Sequence, residues 1–353
     1  MYFNQFEDCG IAGVQFPVLE RRPRVSDLAT RAGVSTATVD RVINGRGGVR
    51  QKTVARVEEA IREIAGQLPP VAPVADPAQR FDAVLSGERG GGTKALADAF
   101  ARAAEAAEAN VEISFVETMN PAALAERLRA CAQRGSSGVA VQVLDHALVR
   151  EAVTELGRTG IPVVTVLTDI AGVDRLAYFG LDNRAAGRTA GFLMGRFCRS
   201  AGKLAVVWGG QLYRSHEERE SGFRSILRSE RPDLQLLELI TGNDNPEMTR
   251  SRVREALASH PDLIGIYCVG GGVAGAADAV EHAGLAPSLV LIGHNCNPET
   301  KPYLLSGTIH AVIHQDMGRI AADALAHLWA RKPSSMTAGI PVEIITRENV
   351  MYR

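Results

Sequence analysis

From Phe81 onward the chain repeats one unit, a short apolar run ending in glycine or a polar residue, then an amphipathic stretch. The apolar runs are FDAVLSG, VEISFVE, GVAVQVL, IPVVTVL, KLAVVWGG, LQLLELI, IGIYCVG and LVLIGHN; stretches such as TKALADAFARAAEAA and VAGAADAVEHAG lie between them. Short apolar runs of this length that do not alternate with polar residues fit strands buried on both faces. Strands that alternate with helices build parallel sheets, because each crossover lays a helix over the sheet. Eight strands are too many for one small sheet of this kind. The sequence therefore predicts two doubly wound α/β lobes, with a ligand held at the carboxyl ends of the strands.

The chain ahead of residue 81 follows other rules. In VSDLATRAGVSTATVDRVINGRGGVRQKTVARVEEAI, Val25 to Ile61, Ser26 is placed as an N-cap with Asp27 at the positive helix end. Leu28, Ala29 and Ala32 share a face, and Gly33 ends the helix as a residue that accepts positive φ. Ser35 caps a second helix from Thr36 to about Asn44. A loop, Gly45 to Gly48, leads to a third helix over about Gln51 to Ala65, with Val54, Val57, Ile61 and Ile64 as its inward stripe. Two short helices joined by a tight glycine turn and braced by a third form a helix-turn-helix. On the second helix Val39, Val42 and Ile43 face inward, while Thr36, Ala37, Asp40 and Arg41 face out. Short side chains at the helix start admit the backbone to a major groove, and an Arg there reaches guanine O6 and N7. Ser35, Thr38, Asn44 and Thr53 are small donors suited to phosphate oxygens, and Lys52 adds a cation for the same backbone.

Charge agrees with that division. Arg21 to Glu63 holds ten basic residues against five acidic ones, in a chain of 353 residues whose formal net charge is −1. A local basic domain on an acidic body points to a polyanionic partner for the small part alone. The remaining composition, 46% hydrophobic and 22% charged, is that of a soluble globular protein. No apolar run approaches the ~20 residues of a membrane helix. The N-terminal segment carries Glu7 and Asp8 and no basic n-region, so it does not read as a secretory signal. Five cysteines without CxxC spacing are expected to be reduced, mostly buried thiols, with no disulfide or zinc.

The segment SDLATRAGVSTATVDRVINGRGGVRQKTVARVEEAI resembles the headpiece of the LacI/GalR family of bacterial transcription regulators. The resemblance implies base reading by Thr36, Ala37 and Arg41 and phosphate contacts from Ser35, Thr38, Asn44 and Thr53. Asp40 departs from it, standing where many members have Ser. The segment GQLPPVAPVADPAQR lacks the family's hinge-helix pattern and is expected to be a semi-rigid, proline-stiffened tether. Residues 1–20 match nothing in the family and are expected to be either a disordered leader or the product of a start codon placed too far upstream. The expected division is thus 1–20 leader, 21–66 helix-turn-helix headpiece, 67–79 linker and 80–353 effector domain.

The effector domain resembles the periplasmic-binding-protein-like domain of the same regulators, nearest to sugar-binding types, through GIPVVTVLTDI, YFGLDNRAAGRTAGFLMGRF, EERESGFRSIL, LIGHN and IHAVIHQD. It implies an N-lobe of about 80–201 plus 315–335 and a C-lobe of about 203–313 plus 341–353. It also implies ligand contacts from Arg219, a planar fork suited to vicinal hydroxyls or a carboxylate, from Gln315, and from Asn295, where sugar-binding members often carry Asp. That amide removes a negative charge and favours an acidic ligand. Thr168 and Asp169 lie near an Asp-Arg position of ribose binders, and Asp145 with His146 closes the preceding strand. Trp208, Tyr213 and His216 offer flat surfaces for a sugar ring, although Trp208 also reads as core. Asp182 reads as a helix cap and His294 as a structural histidine.

Two glycine-rich segments invite a nucleotide reading. GERGGGTK has Thr93 before Lys94, the wrong order for a phosphate loop, and GGGVAG lacks the acidic residue about twenty positions on. No catalytic constellation, metal spacing or cofactor motif is evident. The sequence reads as a cytoplasmic transcription regulator, by default a repressor, a homodimer or dimer of dimers on a near-palindromic operator, controlled by a sugar-, polyol- or sugar-acid-like effector. A solute-binding transport receptor and a nucleotide-dependent enzyme are the alternatives.

Overall fold

The computed structural model describes residues 25–43, 49, 50, 52–54, 56, 57, 60, 79–87, 91–117, 119–331 and 338–352. Two compact units divide the chain near residue 71. The expected leader, Asn44, the loop at 45–48 and all of the linker except Gln79 lie outside the described residues.

In the first unit, helices α1 (Val25–Ala32) and α2 (Thr36–Ile43) are joined by three residues. Gly33 takes φ +61°, and the Val34 amide donates back to the Ala29 carbonyl at 3.0 Å. This is the left-handed helix stop that glycine permits without a Cβ penalty. The first helix begins at Val25, one residue before the expected cap at Ser26. Ser35 does cap α2, its Oγ accepting from the Thr38 amide at 3.2 Å. Leu28, Ala29, Ala32, Val39, Val42, Val57 and Ala60 form the core. Residues 52–54, 56, 57 and 60 are helical and brace the pair. Arg56 is assigned no role from the sequence, yet its Nη2 donates to the carbonyls of Ala32 and Gly33 and so satisfies the C-terminal end of α1.

The second unit holds two sheets. The first contains β1 (Arg80–Ser86), β2 (Asn110–Val116), β3 (Gly138–Val141), β4 (Val163–Val166), β5 (Ala177–Gly180) and the short β12 (Ala338–Gly339), in the order β12-β5-β4-β3-β1-β2, all parallel. The second contains β6 (Gly202–Trp208), β7 (Leu234–Leu236), β9 (Leu263–Cys268), β10 (Val290–His294), β11 (Ala311–His314) and β13 (Glu343–Ile345), in the order β13-β11-β10-β9-β6-β7, with β8 (Ile240–Thr241) beside β6. Every residue of β3, β4, β5 and β10 is buried, as strands covered on both faces require. One strand breaks the expected parallel order: β13 runs antiparallel to β11. It arrives from β12 on the other sheet rather than through a covering helix, so no right-handed crossover dictates its direction.

The helices sort by lobe. On the first sheet lie α3 (Gly91–Ala106), α4 (Pro121–Gln133), α5 (Ala147–Arg158) and α11 (Met317–Ala330). On the second lie α6 (Asn183–Phe197), α7 (Arg214–Glu230), α8 (Pro246–Ser259) and α9 (Val273–His282), and the short α10 (Lys301–Ser306) follows β10. The position of α6 corrects the expected lobe boundary. It packs against α7, β10 and β11, so the chain leaves the first lobe near residue 182 rather than 201. Glycines cause that pairing. A Cβ on Gly187 would stand 1.9 Å from the Arg219 carbonyl oxygen, and one on Gly222 would stand 2.2 Å from that of Arg184. The backbones approach too closely for any side chain.

Cys131, Cys198 and Cys268 are buried free thiols and Cys296 is half-buried; burial pushes Cys131 and Cys268 up to about 12. Among the described residues no helix is long and apolar enough to cross a membrane, and no three His, Cys, Asp or Glu side chains gather as a metal site.

Candidate functional site

The carboxyl ends of the strands of both sheets face one cavity of about 130 Å3. That volume is several times what one water molecule needs, room for a small polar ligand. Contacts between the lobes enclose it. The Tyr213 hydroxyl donates to the Ser86 carbonyl at the end of β1 at 2.8 Å, and the Asp145 amide donates to the Leu212 carbonyl at 2.8 Å. The Ser215 amide donates to Thr168 Oγ1 at 3.3 Å, and the Gly91 amide to Glu299 Oε1 at 3.2 Å.

Five of the seven expected effector residues line the cavity: Arg219, Asn295, Gln315, Thr168 and Tyr213. Arg219 is 4% exposed. Its Nε donates to Asn183 Oδ1 and its Nη1 to the Val269 carbonyl, both at 2.8 Å. Burial lowers its pKa, and the acceptors that hold it are neutral. Asp145 and Asp169 correct the expectation. Neither lines the cavity: Asp145 pairs with Arg150, and Asp169 with Arg175 and the Thr165 hydroxyl. Carboxylates at strand ends turn to the nearest guanidinium, where a charge-assisted pair replaces lost hydration. Trp208 packs against the hydrophobic core outside the cavity.

His216 and His294 line the cavity, both buried. Burial, with Arg219 nearby, drives His216 down to about 3 and His294 well below its usual value, so both rings are neutral. One nitrogen of His294 bonds the Tyr267 hydroxyl at 2.8 Å, the structural role expected of it, yet the ring also faces the cavity. Gln142 and Asp244, which are assigned no role from the sequence, add to the polar lining. Buried polar atoms normally find partners. Here Gln142 Oε1, His216 Nδ1, His294 Nδ1, Asn295 Oδ1 and Gln315 Oε1 have none, and all five residues border this one cavity.

Two glycines of GGGVAG, Gly272 and Gly275, serve helix packing. Gly272 takes φ +79° at the start of α9, and Cβ atoms on Gly272 and Gly275 would collide with Thr249 and the Pro246 carbonyl, so the segment permits close approach of α8 and α9. In the other glycine-rich segment, Lys94 pairs with Asp98 within α3. Asp182 caps α6 through the Ala185 amide at 2.8 Å.

On α2 of the first unit, Thr36, Ala37, Asp40 and Arg41 are exposed while Val39 is fully buried. Lys52 is exposed and Thr53 half-buried. The Ser35 and Thr38 hydroxyls bond each other at 2.9 Å.

Residues 24–65 match the bacterial regulatory proteins of the lacI family, and residues 87–332 match the periplasmic binding protein domain. No curated protein matches the chain. Among solved structures it is similar to GanP, a glucose-galactose binding protein from Geobacillus stearothermophilus, at 24% identity and TM-score 0.68, over 77% of this chain and 99% of that one. A solute binding protein from Agrobacterium vitis bound with alpha-D-tagatopyranose is 20% identical with TM-score 0.71, over 77% and 96%. A protein described as a LacI transcriptional regulator, from Bacteroides fragilis, is 18% identical with TM-score 0.68, over 78% and 99%. These likenesses establish the fold of the larger unit; over residues 87–332 the chain belongs to the periplasmic binding protein domain family, and a bacterial regulatory domain of the lacI family, residues 24–65, stands ahead of it.

Proposed function

We propose that this chain is a sequence-specific transcriptional repressor whose hold on DNA is controlled by a small, sugar-like effector enclosed between its two lobes. The observation that carries this reading is the set of five unpartnered polar atoms around one cavity of about 130 Å3. They occur in the same chain as an exposed helix face with an arginine in its last turn. Thr36, Ala37 and Arg41 read base edges; Ser35, Thr38, Asn44, Lys52 and Thr53 hold phosphates. Arg219, Asn295, Gln315, Thr168 and Tyr213 hold the effector, without Asp145 and Asp169.

The regulator works in the cytoplasm as a homodimer or dimer of dimers, one headpiece per half-site of a near-palindromic operator. Effector binding shifts the lobes between open and closed states, and the differential affinity of those states is the control.

Selection of fragmented genomic DNA by the purified protein, followed by sequencing, tests the reading. Enrichment of a few fragments sharing an inverted repeat, abolished by Arg41→Ala, is the expected outcome. Equal recovery of all fragments by both proteins would remove sequence-specific regulation from the account.

A further inference from the structure

Asp244 lies between β8 and α8 in a segment where Asn243 and Asp244 both take left-handed backbone, φ +50° and +54°. Residues with side chains adopt that region only where their surroundings hold them there. Its Oδ1 accepts from the Gly271 amide at 2.5 Å. Three glycines clear the space it fills: a Cβ would stand 1.7 Å from this oxygen on Gly209, 2.5 Å on Gly270 and 3.0 Å on Gly271. These glycines follow β6 and β9, so two strand ends omit side chains where one carboxyl enters. Asp244 lines the cavity, and among the described residues its Oδ2 has no hydrogen-bond partner and the carboxyl no ion pair.

The groups around it are Arg219 and His216 from α7, Tyr213 just before α7, His294 at the end of β10, and Glu299 at the cavity edge. Both imidazoles are neutral. Arg219 has committed Nε and one Nη1 hydrogen to Asn183 and Val269, which leaves three of its five N–H donors for a ligand. With Asp244 inside and Glu299 at the edge, the lining does not favour an anion, which turns the expectation drawn from Asn295 around. Burial pushes the Asp244 carboxyl up to about 7, despite Gly271 and Arg219.

We infer that Asp244 is a specificity-determining residue of the cavity, its free oxygen accepting hydroxyl hydrogens from an uncharged sugar or polyol that binds with release of the Asp244 proton to solvent. The ligand keeps its own protons; the only one that moves is the carboxyl's. This inference rests on the sugar-type effector proposed above. Hydroxyl donors stabilise the carboxylate over the carboxylic acid, so binding is tightest above the carboxyl's pKa and weakens as pH falls through it.

The probes are D-galactose, D-arabinose, D-tagatose and D-galacturonate, titrated calorimetrically against the full chain between about pH 6 and about pH 8. For at least one neutral sugar, affinity in the wild-type chain should fall by up to about tenfold per pH unit below 7, with proton release scaling with buffer ionisation enthalpy. Asp244→Asn should abolish both pH dependence and proton release. Neutral-sugar binding that is independent of pH in the wild type overturns the inference while leaving the effector proposal standing. So does tighter binding of galacturonate than of every neutral sugar at the upper end of that pH range. Failure of all four probes to bind at any pH overturns it together with the effector class itself. The wild-type profile decides the matter even if the variant folds poorly.

Discussion

Arg219 Nε and Asn183 Oδ1 are 2.8 Å apart, and this bond ties the first turn of α6 to the guanidinium that lines the cavity. Both residues are buried, so neither partner is replaced by water when the other is lost. Arg219→Lys should leave either the Asn183 or the Val269 oxygen without a donor, since one ammonium does not reproduce the fork. A buried polar group left unpaired costs about 1–3 kcal/mol. Thermal melts should show a lower transition for Arg219→Lys, and sugar-induced stabilisation should vanish. A variant that melts and responds like the wild type would disconnect Arg219 from the cavity.

Gly187 lets α6 and α7 touch backbone to backbone, directly behind Arg219. Gly187→Ala should force the helices apart and destabilise the larger unit by about 1–3 kcal/mol. Because the displaced carbonyl is that of Arg219 itself, effector affinity should drop in the same variant. Chemical denaturation and a sugar titration on one preparation check both effects; a loss of stability with unchanged affinity would separate the helix contact from the site.

Gly33 combines a positive φ with contact to Arg56, whose Nη2 would stand 2.6 Å from an added Cβ. Gly33→Ala should cost about 1 kcal/mol or more from the backbone alone. It should weaken binding to every DNA sequence without altering effector affinity. Fluorescence anisotropy with specific and random duplexes, beside a sugar titration, measures both. Arg41→Ala should instead cost about 1–3 kcal/mol only on duplexes carrying the preferred base, and Lys52→Ala should flatten the salt dependence on all duplexes alike.

Two buried histidines set a pH dependence of stability. His216 is held down to about 3 in the fold, against about 6.5 in an unfolded chain. Below about 6.5 the unfolded chain takes up a proton that the fold refuses, so stability is lost as pH falls from there toward 3. His294 acts in the same direction. Asp244, raised rather than lowered, acts oppositely and favours the fold as pH falls through 7. His216→Gln should therefore lose less melting temperature than the wild type between about pH 7 and about pH 5. Parallel curves for the two proteins would mean that His216 titrates normally.

What the sequence disclosed follows from which interactions are local. The strands were legible because residues such as Val139, Val163 and Ile292 are buried on both sides of a sheet and must be apolar. The outward face of α2 was legible because Val39 and Val42 fix its phase. The lobe boundary was not, because GLDNRAAG reads as a strand and a capped helix whichever sheet that helix covers; the glycine contacts that decide it join residues far apart in the chain. Asp145 and Asp169 looked like ligand groups because they end strands, yet Arg150 and Arg175, five and six residues on, were visible partners that argued otherwise. Asp244 left no signal: in TGNDNPE it reads as part of a polar turn before the Asn245 cap, and the three glycines that receive it read as turns of their own.

The central proposal is a coupling between occupancy of the cavity and the grip of the headpiece on DNA. The most direct measurement is the affinity of the full chain for its selected operator, by anisotropy, with and without a neutral sugar that stabilises the protein, in wild type and Arg219→Lys. The sugar is expected to lower operator affinity in the wild type, by about 5–150-fold if the coupling is of ordinary size, and to leave the variant unchanged. Identical operator affinity with and without a sugar that demonstrably binds the wild type would contradict control of the headpiece by the cavity.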